Sequence, residues 1–310
     1  MIKQTRPIIL LSVLFFFACA GQSALQRQPE HLGTAMSELR KGMSWYQKGC
    51  DRRAMEHFSK AHELFSLSDR MDGVAMALNN MANIYRVRGD IQSALLLYKE
   101  SSDIYFELGD RQGFAQSLSN LAAVMIDANR LEEAQQVIDQ AEAAADGKGK
   151  PYLSALKNRG ILFLRKNEFE RAEEVLQRVL KMTDRSSLTE YAAIRVAIGQ
   201  LMMKTGRHES AVAYLQEALQ ADRESENFAE TAETLADLGS LYEILQQDGP
   251  AVNCYKRSLK IFALMEKKQK VDALYERLKR LSERTGSDLS LIDHFLERWR
   301  SGEASIRPCR

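Results

Sequence analysis

The chain has 310 residues, 43 basic and 42 acidic, for a formal net charge of +1, which leaves no electrostatic footprint for a nucleic-acid backbone. Hydrophobic residues make up 45% and prolines number only five, a composition that points to an almost wholly helical protein. Phosphate-cradling glycine loops, paired-cysteine metal spacings and H-E-x-x-H are all missing from the sequence, so neither a cofactor nor an enzyme is expected.

In chain order, Lys3 and Arg6 precede the run Ile8 to Phe17, apolar except for Ser12, and Ala18-Cys19-Ala20-Gly21 follows. A charged start, a ten-residue apolar run and a small-residue cleavage zone read residues 1–20 as a bacterial-type export signal. Ten residues are too few to span a bilayer as a helix, which takes about 20. Two processing routes stand open beside an uncleaved anchor. Cys19 resembles a lipobox cysteine, which would be acylated and become the mature N-terminus, although Phe16 and Phe17 depart from the leucine and small residue usual before it. Alternatively, Ala18-Cys19-Ala20 is an A-x-A site and the product carries no lipid. The lipoprotein resemblance, with Ala20 rather than aspartate after the cysteine, implies the periplasmic face of the outer membrane; plain cleavage implies a soluble periplasmic protein. Residues 21–34 are polar, contain Pro29 and Gly33, and read as a tether reaching at most about 50 Å.

From residue 35 to 268 the sequence repeats. Alanine recurs at Ala54, Ala94, Ala134, Ala172, Ala211 and Ala251, at intervals of 40, 40, 38, 39 and 40. Twelve residues before each stands a small residue: Gly42, Ala82, Ala122, Gly160, Gly199 and Gly239. Nine before stands a large one (Trp45, Tyr85, Met125, Phe163, Met202, Tyr242), and four after another (Phe58, Tyr98, Ile138, Leu176, Leu215, Tyr255). Five before, where a turn favours Gly or Asn, are Gly49, Gly89, Asn129, Asn167 and Gly206, with Gln246 as the exception. Each unit therefore reads as two amphipathic helices joined by a tight turn, and stacking the units builds one continuous core.

These offsets resemble those of the tetratricopeptide repeat family over roughly residues 35 to 265. The resemblance implies an all-α, right-handed superhelical solenoid of about six helical hairpins. The family's proline after the second helix is replaced by Ser66, Phe106, Asp146, Asp184, Arg223 and Ala263, so the second helix is expected to run further. Beyond the repeats, Val271, Leu274, Leu278 and Leu281, then Leu289, Ile292, Phe295, Leu296 and Trp299, make two one-sided helices. Residues 269–301 accordingly read as C-terminal caps and residues 302–310 as a disordered tail. With Cys19 removed or acylated, Cys50, Cys254 and Cys309 read as three unpaired thiols; a Cys254–Cys309 bond would need the tail to fold back.

The resemblance also places the first helix of each repeat along a concave groove. There the candidate peptide-binding residues are Asn79, Asn80, Asn83, Asn120, Lys157 and Asn158, with Arg86, Gln116, Asp127, Glu233 and Asp237 on the same side. Asn80, Asn120 and Asn158 occupy one slot in three consecutive repeats, and an amide ladder pairs with an extended backbone whatever its sequence; the bland alternative is helix-to-helix bonding. His57 and His62, about 140° apart on a helix, share no face, and Ser154-Ala155-Leu156-Lys157 matches S-x-x-K by letter alone. The function expected is that of a non-enzymatic interaction scaffold in the bacterial envelope. It would be lipid-anchored through Cys19, bind a protein or extended peptide in its groove, and assist assembly of an envelope machine. The alternative is a peptide sensor whose superhelix responds to a bound short peptide.

Overall fold

The computed structural model describes residues 30–303 and Cys309. The export signal, Cys19 and the tether up to residue 29 lie outside the described residues. Six helical hairpins follow one another: α1 (Glu30–Gln47) with α2 (Asp51–Leu67), α3 (Met71–Val87) with α4 (Ile91–Glu107), and α5 (Arg111–Asp127) with α6 (Leu131–Ala145). Then come α7 (Gly149–Arg165) with α8 (Phe169–Met182), α9 (Leu188–Lys204) with α10 (His208–Glu224), and α11 (Phe228–Ile244) with α12 (Asp248–Leu264). Two further helices, α13 (Lys268–Thr285) and α14 (Ser290–Ser301), complete the described residues. The protein is an all-α superhelical solenoid. Among the described residues, no helix is long and apolar enough to cross a membrane.

The repeat slots have direct packing meanings. All six anchor alanines, and all six bulky residues four positions later, are fully buried. A small residue is required opposite, because a Cβ on Gly42 would stand 2.5 Å from the Phe58 ring and one on Gly239 2.5 Å from the Tyr255 ring. The spacing thus encodes how closely the first helix approaches the second, and the volume of one slot dictates the volume of the other. At the intra-hairpin turn the backbone is left-handed in every repeat, including Gln246 at φ +57°. The departure from Gly and Asn therefore changes the residue, not the turn. Where the family proline is missing, α2, α4, α10 and α12 run through its position, whereas α6 and α8 stop short of it.

Three sequence readings are corrected. Helix α1 starts at Glu30 and Leu32 is buried, so the tether read as 21–34 overlaps a helix at its C-terminal end. The thiols are not all free: Cys50 and Cys309 form a disulfide with Cα atoms 4.9 Å apart, and among the described residues only Cys254 is free, buried in the sixth hairpin. Nor is the tail wholly detached, since its Cys309 is buried and its carbonyl accepts from Arg52 at 3.5 Å.

That disulfide marks where the superhelix closes on itself. The turn between α1 and α2 meets the turn between α12 and α13. Gly49 lies so near Met265 that a side chain there would collide with it, and Lys267 pairs with Asp51. Arg88 also reaches Asp51, at 3.9 Å. Among the described residues these contacts lie at the turns and the first residues of α2, and they bring the first hairpin against the last around the space enclosed by the first helices.

On the far side of the sixth hairpin, α13 covers the end of the core with Val271, Leu274, Leu278 and Leu281, and α14 adds Ile292 and Leu296. Tyr275 on α13 donates to Asp293 on α14 at 2.5 Å, which joins the two helices.

Candidate functional site: a charged lumen

The first helices line the lumen. Tyr46 of α1 feels Glu230 of α11 and Arg86 of α3, while Lys157 of α7 feels Arg86, Glu230 and Glu190. These electrostatic couplings link groups from hairpins one, two, four, five and six across the space that the first helices enclose. One wall is cationic, with Arg86 and Lys157. The acids Glu230, Glu233 and Asp237 come from α11 and lie within reach of those cations.

Confinement perturbs these groups in the directions physics requires. Burial, and then the neighbouring Arg86, push the Lys157 ammonium below its ordinary pKa, with Glu230 and Glu190 opposing. Burial, and then Glu233, raise the Glu230 carboxyl; burial raises Asp237 against a hydrogen bond from Gln200. The Tyr46 phenol is pushed up to about 12, by burial and then Glu230. Burial opposes the charge on Arg86, but Asp127 outweighs it through a 2.7 Å bond from Nε, and the guanidinium is held above its usual range.

Most lumen charges have partners: Arg86 with Asp127, Glu233 with Lys270 at 2.9 Å, and Glu190 with Lys150 at 2.6 Å. Asp237 accepts from Gln200 at 3.5 Å. The side chains of Lys157 and Glu230 make neither a hydrogen bond nor an ion pair among the described residues. They sense each other without touching.

Of the asparagines singled out in the sequence, Asn79, Asn80, Asn83 and Asn120 lie part-buried on α3 and α5. Gln116 donates to Asn120 at 3.2 Å and Asn120 to Asn79 at 3.1 Å, a chain of amides spanning two hairpins. Asn83 accepts from Tyr98 at 2.6 Å and donates to the carbonyl of Asn79, and Asn80 donates to the carbonyl of Met76. Asn158 is different. It is 5% exposed and donates at 2.6 Å to the Ser119 carbonyl, joining α7 to α5. The three-rung ladder is therefore two rungs and a structural bond, because α7 packs directly against α5 more closely than the other first helices pack on one another.

Sequence reasoning missed Glu230. It stands twenty-one residues before its anchor alanine, as Glu190 does before the previous one, and following that slot would have found it. Among the described residues no cluster of His, Cys, Asp and Glu could hold a metal ion. The buried thiol of Cys254 has its pKa raised by burial, the opposite of an activated nucleophile.

Family profiles match most of this chain in pieces: tetratricopeptide repeat profiles over residues 120–187 and 190–263, and the soluble NSF attachment protein (SNAP) profile over 16–148. In fold it is similar to the Rap conjugation gene regulator of plasmid pLS20, solved in complex with the Phr* peptide. The TM-score is 0.65 at 18% identity, over 92% of this chain and 79% of that one. It is also similar to a Rap protein complexed with competence and sporulation factor, with a TM-score of 0.59 at 15% identity, over 83% of this chain and 77% of that one. A segment of 75 residues is 37% identical to the 43 kDa receptor-associated protein of the synapse from Tetronarce californica; it spans 24% of this chain and 18% of that protein. Repeat offsets, left-handed turns, stacked hairpins and profile matches agree, and the chain belongs to the tetratricopeptide repeat family.

Proposed function

We propose that this protein is a binding protein, not an enzyme, and that its lumen receives an extended peptide or an extended segment of a partner. The observation that carries this is the closed ring, whose first helices carry the unpaired Lys157 and Glu230 and the amides of α3 and α5. The unpaired charges and the free amide groups suit the backbone and side chains of an extended chain, which favours a peptide-responsive receptor over a groove scaffold. The two Rap structures solved with a peptide or a factor support the reading by likeness of fold.

The charged start, the apolar run and Cys19 support export and a lipid on that cysteine, which would hold the ring at the envelope membrane. A second reading, docking of a folded partner during assembly of an envelope machine, is favoured by an apolar cleft elsewhere. It measures about 530 Å³ and is lined by Tyr105, Phe106, Phe114, Ala143 and Ala144, with Phe106 70% exposed.

A photo-crosslinking residue placed at Asn83, and in a separate chain at Phe106, separates the two. Short peptide adducts at position 83 in the full chain support the lumen reading. Adducts only at position 106, to a folded protein, overturn it in favour of the second. Metabolic labelling with an alkyne fatty acid tests the anchor, and label retained by Cys19→Ser would refute it.

A further inference from the structure

We infer that the lumen selects its peptide by charge order: an acidic group of the ligand sits on the wall formed by Lys157 and Arg86, and a basic group sits against Glu230. The inference rests on the lumen being a peptide site. Its occupant is an extended peptide segment carrying one carboxylate and one ammonium or guanidinium.

Three observations carry it. First, the unpaired charges are of opposite sign and stand on different first helices, Lys157 on α7 and Glu230 on α11, within electrostatic reach of each other. Every other lumen charge named above already has a partner, so these two are what remains for a ligand to satisfy. Second, each is reinforced by a neighbour of like sign. Arg86 acts on Lys157 and Glu233 acts on Glu230, each adding to the like charge beside it although Arg86 is itself paired with Asp127 and Glu233 with Lys270. Two like charges confined together cost the empty protein energy, and a ligand ion relieves that cost. Third, the amide chain on α3 and α5 leaves the Asn79 side-chain NH2 and the Gln116 carbonyl without partners among the described residues. Those groups match the acceptors and donors of any extended backbone, so they contribute affinity without sequence preference. The two charges then supply direction: reversing the peptide would put acid against acid and base against base.

A displayed library of random nine-residue peptides, selected on the full chain in detergent, is the test. Native protein, Lys157→Gln and Glu230→Gln are compared. The expected native pool is enriched in peptides with one acid and one base in a fixed order. Lys157→Gln should erase the preference for the acid and Glu230→Gln the preference for the base, each weakening a selected peptide by about tenfold, the equivalent of one ion pair. Synthetic copies with blocked ends distinguish side-chain charges from chain termini. A pool that is enriched but indifferent to charge, or unchanged by both substitutions, overturns the charge-order inference and leaves peptide binding standing. No enrichment on natively folded protein overturns the peptide reading itself.

Discussion

Replacing Asp222 with asparagine should make this protein more stable at pH 8 and leave it nearly unchanged at pH 4. Asp222 ends the buried stripe of α10 and is 1% exposed; it accepts a hydrogen bond from Thr234 at 3.2 Å. Burial, and then the nearby Glu230, push its carboxyl from 3.8 up to about 7, with Thr234 opposing. The folded chain thus keeps this proton until about pH 7, whereas the unfolded chain releases it near pH 4. Between those values the folded state binds more protons, so the contribution of Asp222 lowers stability as pH rises and then levels off. At about 1.4 kcal/mol per unit the full shift corresponds to roughly 4 kcal/mol, and relaxation with water entry brings the expected effect to about 2 kcal/mol. Urea titrations of wild type and Asp222→Asn followed by far-UV circular dichroism at pH 4, 6 and 8 should diverge with rising pH at similar slopes. Repeat arrays need not unfold as one unit, so hydrogen exchange in α10 and α11 locates the change. A gap that stays constant across pH, or an asparagine variant weaker at pH 8, would refute the reasoning.

Other substitutions test other links. Gln246→Gly should raise stability by about 0.5 kcal/mol, since a left-handed non-glycine residue costs about 1 kcal/mol and glycine's unfolded freedom returns part of it; a lower melting temperature would contradict the turn assignment. Cys309→Ser should remove about 2–4 kcal/mol under oxidising conditions and nothing under reductant, because it opens a bond between residues 259 apart; equal melting of both proteins in air would mean the ring is not covalently closed. Asn158→Ala should cost about 1 kcal/mol by removing the amide's bond to the Ser119 carbonyl across the contact of α7 with α5. Asn80→Ala, which loses only a bond to its own helix, should cost less than about 0.5 kcal/mol; equal losses in chemical denaturation would show that the two amides do the same job.

By itself the sequence determined the unit of this protein. An alanine every 38 to 40 residues, with a small residue twelve before it and a large one four after, dictates a helical hairpin and its close approach, because those contacts lie within a single hairpin. The left-handed turns were legible for the same reason, and the exception at Gln246 took the conformation its neighbours imposed. The lumen side of Asn79, Asn83, Lys157 and Asp237 could be read from helical period and repeat slot. The fate of Asn158 could not, because it follows from how closely α7 packs on α5, a relation between hairpins that no slot records. Ring closure lay further out of reach. It depends on small rotations accumulated over six hairpins, which bring Gly49 and Cys50 to Met265 and Cys309 across more than two hundred residues. Only that accumulated geometry turns an open groove into a lumen and brings Lys157 and Glu230 within reach of each other.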